Sequence, residues 1–149
     1  MVTIANPAPM VRLTRQMAML LLKPNTWIVV ANGGSVRLLR NAGNATDVRL
    51  EEQAVPDLND PHLGPSGSQP QSVDLAEATF NRKLALWLNH KALTHGFEHL
   101  VLAADPISMG ELRPLLHQEV TARTQAEITK DWTNLSLKDI EKALDAVDG

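Results

Sequence analysis

Two stretches restrict the fold more than any others. Thr26–Ala31 reads TWIVVA and Glu98–Ala104 reads EHLVLAA. Both are apolar at consecutive positions rather than at alternate ones, so each strand has two faces to bury. Such strands belong in the middle of a sheet that is covered on both sides. Asn32-Gly33-Gly34 stops the first run with residues that tolerate positive φ, as a tight hairpin turn requires. Ser35–Arg40 returns as a second strand, and the turn Asn41-Ala42-Gly43-Asn44 leads to a third near Asp47–Ala54. The chain therefore opens as an antiparallel meander.

Helices follow. Asp74 and Glu77 have the spacing of a capping box, and Ala76, Phe80, Leu84, Trp87 or Leu88, and Ala92 form a stripe at helical spacing. His95-Gly96 ends this helix, with Gly96 read as the left-handed residue. After the apolar strand, Ser108-Met109-Gly110-Glu111 is an S-x-x-E box, which predicts a helix from Ser108 to about Glu119, with Pro114 awkward inside it. Val120–Thr129 alternates and reads as a half-buried strand, best in its second half. Ser136 and Asp139 cap a last helix. Leu135 and Ile140 are placed as its hydrophobic staple, and Ile140, Leu144 and Val147 as its buried face. The order is β-β-β-α-β-α-β-α. A meander followed by two right-handed crossovers gives an α/β domain with a mixed five-stranded sheet in the order 3-2-1-4-5, a ribonuclease-H-like topology.

A length of 149 residues suits one domain, and 44% apolar residues supply its core. Residues 1–24 read as an N-terminal extension and 25–149 as the domain, with a mobile loop rich in Pro, Gly and Ser near 55–72. Met17–Leu22 is too short for the apolar core of a signal peptide and no stretch is long enough to span a membrane, so the expected compartment is the cytoplasm. The absence of cysteine excludes disulfides, thiolate zinc and a Cys nucleophile. Charge is uneven. Residues 1–46 carry Arg12, Arg15, Lys23, Arg37 and Arg40 and no acid, whereas Asp47, Glu51, Glu52, Asp57 and Asp60 follow at once. A basic start of this kind attracts nucleic acid or acidic lipid, or is simply a tail and a solvated hairpin.

The residues of the domain resemble a known family. TWIVVANGGSVRLLRN (Thr26–Asn41), LVLAADPISMGELRPLL (Leu100–Leu116) and AEITKDWTNLSLKDIEKAL (Ala126–Leu144) follow one another as in the bacterial host attachment proteins, and ADPISMGELR is the most specific part. The resemblance implies a small cytoplasmic domain related by fold to the middle domain of peptide-release factors. It implies a non-enzymatic binding protein that influences attachment to host cells indirectly, through a protein partner the sequence does not name. The alternative is an RNA- or ribosome-associated, translation-related factor. This chain has Asn32 where the family often has Asp, and Pro114 where it has another residue. The release-factor domain works through a Gly-Gly-Gln loop. Here Gly33-Gly34 is followed by Ser35 in a strand turn, so peptidyl-tRNA hydrolysis is not carried over.

No catalytic residue, metal site or cofactor is assigned. A metal nuclease of this topology would set carboxylates at the positions of Asn32, of a residue near Glu77, and of Asp105, but Asn32 is neutral. His62, His90, His95 and His99 lack the spacing of a ligand pair and read as surface residues. What remains is a binding pocket at the edge where ligands gather in open α/β sheets. Its expected residues are Asn32, Gly33, Asp105, Ser108, Gly110 and Arg113, with an anion as the ligand at the helix start.

Overall fold

The computed structural model describes residues 21–58 and 73–147. Residues 1–20 of the expected extension and 59–72 of the expected loop lie outside them, as does the side chain of Asp74, and with it the cap expected there. The two apolar runs become β1 (Trp27–Ala31) and β4 (Leu100–Ala104), parallel neighbours at the centre of the sheet. Antiparallel β2 (Val36–Asn41) and β3 (Leu50–Gln53) extend it on one side, and parallel β5 (Thr124–Ile128) closes the other. The order is β3-β2-β1-β4-β5, as the topology predicts.

The lack of alternation in β1 and β4 has the expected cause. Val29, Ala31, Leu100, Leu102 and Ala104 face a core built with Phe80, Leu84 and Leu88 of α1 (Val73–Leu93), Met109 and Leu112 of α2 (Pro106–Leu112), and Val120 of α3 (Gln118–Arg123). Ile28, Val30, Val101 and Ala103 face a second core with Leu22, Trp132, and Ile140 and Leu144 of α4 (Leu137–Asp145). Both cores are closed to solvent, so consecutive residues along one strand are buried in turn.

Three local expectations fail for identifiable reasons. The S-x-x-E box does not form. Helix α2 begins at Pro106, and Asp105 is its cap, its Oδ2 accepting from the Ser108 N–H at 3.2 Å. Proline at the first helical position loses no intrahelical hydrogen bond and holds φ near the helical value. Pro114 then ends the helix in a 3-10 turn at Arg113–Leu115. The first half of the stretch read as a strand is α3. His117, which no motif drew attention to, caps it by accepting the Glu119 N–H on Nδ1 at 3.0 Å. Only Thr124–Ile128 is strand. Finally, the left-handed residue after α1 is His95 (φ 59°), not Gly96. The Gly96 N–H reaches the Lys91 carbonyl at 2.7 Å and the His95 N–H the Ala92 carbonyl at 3.2 Å, a Schellman closure. Glycine is needed at 96 for closeness: a Cβ there would meet the Lys91 carbonyl oxygen at 3.2 Å. The last helix forms as expected, with Ser136 Oγ accepting from the Asp139 N–H at 3.1 Å.

Candidate functional site

Ala31 pairs with Ala104 across the β1–β4 ladder, so Asn32 and Asp105 leave the sheet side by side at its C-terminal edge. From there the two chains turn different polar groups to the two faces.

Asn32 faces the loop between β5 and α4. Its Oδ1 accepts from the N–H groups of Gly34 at 3.0 Å and Ser35 at 2.9 Å and from Ser35 Oγ at 3.1 Å. Its Nδ2 donates to Thr133 Oγ1 at 3.2 Å. The Thr133 hydroxyl in turn donates to Asp131 Oδ1 at 2.5 Å, and the Thr133 N–H reaches the same oxygen at 2.9 Å. Slight burial pushes the Asp131 carboxyl up, but the bonds from Thr133 and Asn32 outweigh it and hold the carboxyl below its ordinary range. Asn32 therefore serves as a donor at one end of a relay, a role an aspartate could not fill when ionised.

Gly33 faces α1 and α2. Its φ is +85°, and a Cβ on it would lie 3.0 Å from both Glu77 Oε2 and Ser108 Oγ. The turn thus packs directly over a polar cluster. Ser108 is fully buried and its Oγ has no protein partner; nor does the buried Oδ1 of Asp105. One turn further along α1, buried Asn81 donates from Nδ2 to Glu111 Oε1 at 2.7 Å, while its own Oδ1 has no protein partner. Glu111 is therefore a partner of α1, not half of a capping box.

Of the six expected pocket residues, the structure brings Gly33, Asp105 and Ser108 together and adds Glu77. Asn32 sits beside them but spends its amide on Thr133. Gly110 lies exposed on α2 with nothing near a Cβ position. Arg113 is held by Glu127 of β5 through a 2.7 Å hydrogen bond. The chemistry of the cluster suits a donor or a cation and repels an anion. Its free atoms are carboxylate oxygens and one hydroxyl. The α2 start has little to offer an anion: Pro106 has no N–H, and those of Ser108 and Met109 already go to Asp105. Among the described residues, no group of three or more His, Asp or Glu side chains is placed to hold a metal ion.

Two cations of the basic start, Arg37 and Arg40, are neutralised within the sheet. Arg37 makes a two-pronged pair with Glu52 (Nε to Oε2 3.0 Å, Nη2 to Oε1 2.9 Å), and Arg40 pairs with Glu51 at 2.8 Å. Glu52 holds the Arg37 guanidinium more firmly protonated than usual, against its partial burial.

Fold and site together define a mixed-sheet α/β domain with a polar cluster at the C-terminal ends of β1 and β4. A family model described as bacterial archaeo-eukaryotic release factor family 12 matches residues 25–144, and the chain belongs to that family. No curated protein matches the chain. Among the described residues, no helix is long and apolar enough to cross a membrane.

Proposed function

We propose that this protein is an RNA- or ribosome-associated factor acting in translation. The observation that carries the reading is the match of residues 25–144, the whole sheet and its helices, to a release-factor-type family. That match says nothing of host cells, so attachment is not the function proposed. No hydrolytic step is assigned either: the turn over the cluster is Asn32-Gly33-Gly34-Ser35, and its Asn32 side chain is committed to holding the turn and Thr133. Within this reading the cluster of Gly33, Asp105, Ser108 and Glu77 takes a hydrogen-bond donor, such as an amide or ammonium group. The RNA phosphates bind elsewhere, because two carboxylates repel them.

Sedimentation of the full chain with ribosomes from its own cells, at low and at high salt, tests the proposal. The expected result is association at low salt that declines as salt rises, as contact with RNA phosphates requires. Recovery of the protein free of ribosomes and RNA at every salt concentration rejects it. A single protein partner retained at all salt concentrations would favour a scaffold instead.

A further inference from the structure

We infer that single-stranded RNA binds in a groove along the C-terminal half of α1, with one base in an apolar slot and the flanking phosphates on a basic rim. The inference rests on the translation reading and names its contact surface. It starts from charge. The chain carries a net charge of -3, yet residues 78–97 contain Arg82, Lys83 and Lys91 and no acid. Elsewhere arginines are largely spoken for: the ion pairs among the described residues occupy Arg37, Arg40, Arg49, Arg113 and Arg123. Arg82 and Lys91 have no acidic partner among those residues, so these two cations are not cancelled by an ion pair there, while Asp57 stands in sequence between the lining residues Pro56 and Leu58.

Beside these cations runs a groove of about 480 Å³, within the range of small-ligand sites. Leu58, Leu86 and Trp87 give it an apolar lining, and Lys83, His90 and Lys91 stand along it, with no acid among the lining residues. Leu86 is 49% exposed on a helix whose other face is core, so an apolar side chain here is kept in water. Trp87 is held rigid by stacking on Trp27, ring centroids 5.8 Å apart. An apolar slot with a fixed indole beside cations matches the requirements of an unstacked base and its phosphates. Charge complementarity also admits an acidic peptide. The indole of Trp87, fixed by Trp27, favours a planar base over an acidic peptide.

The test uses the full chain and a labelled ten-nucleotide single-stranded RNA, followed by anisotropy and tryptophan fluorescence. Binding should weaken roughly sevenfold between 50 and 200 mM salt if Arg82 and Lys91 each neutralise one phosphate, with quenching of tryptophan emission. Lys91→Glu should flatten the salt dependence, by about 0.7 in the logarithmic slope for the lost cation. Leu86→Glu, at an exposed position that the fold does not need, should weaken binding by roughly tenfold or more, since base stacking contributes about 1–3 kcal/mol per base. Variants that bind RNA as the parent does overturn the groove, as does a duplex of the same sequence bound as tightly as the single strand. An acidic peptide bound more tightly than the RNA and sensitive to both substitutions also overturns it, in favour of a protein partner. If ribosome association survives while both variants are silent, only the groove fails; if neither RNA nor ribosomes are bound, the translation reading fails with it.

Discussion

The amide of Asn32 holds its own turn with the oxygen and the β5–α4 loop with the nitrogen. The residue type was legible as a neutral group where a carboxylate would serve a metal. Its structural task was not, because Thr133 lies 101 positions away. Asn32→Asp isolates that task. The oxygen still accepts from Gly34 and Ser35, but a second carboxylate oxygen now meets a Thr133 hydroxyl whose proton already goes to Asp131. The variant should lose about 1 kcal/mol at pH 7 from the lost bond, with added repulsion from Asp131. That repulsion disfavours the ionised form of the new carboxyl, while the bonds it accepts from Gly34 and Ser35 favour it. Urea titrations at pH 7 should show this loss; a variant as stable as the parent would refute this account. His95 offers a simpler case. A left-handed backbone strains any residue with a Cβ. His95→Gly should thus stabilise by about 0.5–1 kcal/mol, read as a higher midpoint in thermal unfolding.

At the level of elements, the strands were easier to read than the short helices. An apolar run of five residues between turn signals leaves few alternatives. A helix of six residues, such as α3, has too few positions to display its period, and its Val120-Thr121-Ala122 alternation imitates a strand. The α2 start was ambiguous for another reason: Asp105-Pro106 and Ser108-x-x-Glu111 both encode a helix start, and only one can be the end. Packing of Ser108 and Met109 into the interior selects the earlier start. The cluster was legible in part. Gly33, Asp105 and Ser108 follow from strand ends, and Glu77 from its place in the first helix, but Arg113 and Gly110 depend on how far α2 turns before Pro114 stops it. The tie between the hairpin and the last loop was invisible locally. Arg37 Nη1 donates to the carbonyls of Leu135 at 2.6 Å and Thr133 at 3.2 Å while its other nitrogens hold Glu52. The two halves of this tie differ in weight. Glu52→Ala should cost less than about 1 kcal/mol, since the Glu52 carboxylate is half exposed to water. Arg37→Ala should cost about 2 kcal/mol, because two carbonyls lose a charged donor as well. Equal losses in paired urea titrations would show that the carbonyl bonds contribute nothing.

For the molecule as a whole, the sheet is a wall shared by two cores. Neither core is independent, because alternate residues of the same β1 and β4 strands belong to each. Removing cover from one face must therefore weaken the other. Ile140→Ala, which deletes a fully buried side chain of α4, should cost about 2–5 kcal/mol. The tryptophans report the two sides separately. Trp132 sits in the α4 core, while Trp27 and Trp87 stack beside the α1 core. Replacing Trp132 with Phe leaves emission from the α1 side, and its unfolding can be set against far-ultraviolet circular dichroism of all the helices. For a domain this small the two curves should coincide, in the parent and in the Ile140→Ala background alike. If α4 peeled away first, the tryptophan curve would lag behind the loss of helix. The sheet would then act as a divider between two folding units, and the covered-on-both-sides strands that define this fold would not couple its faces.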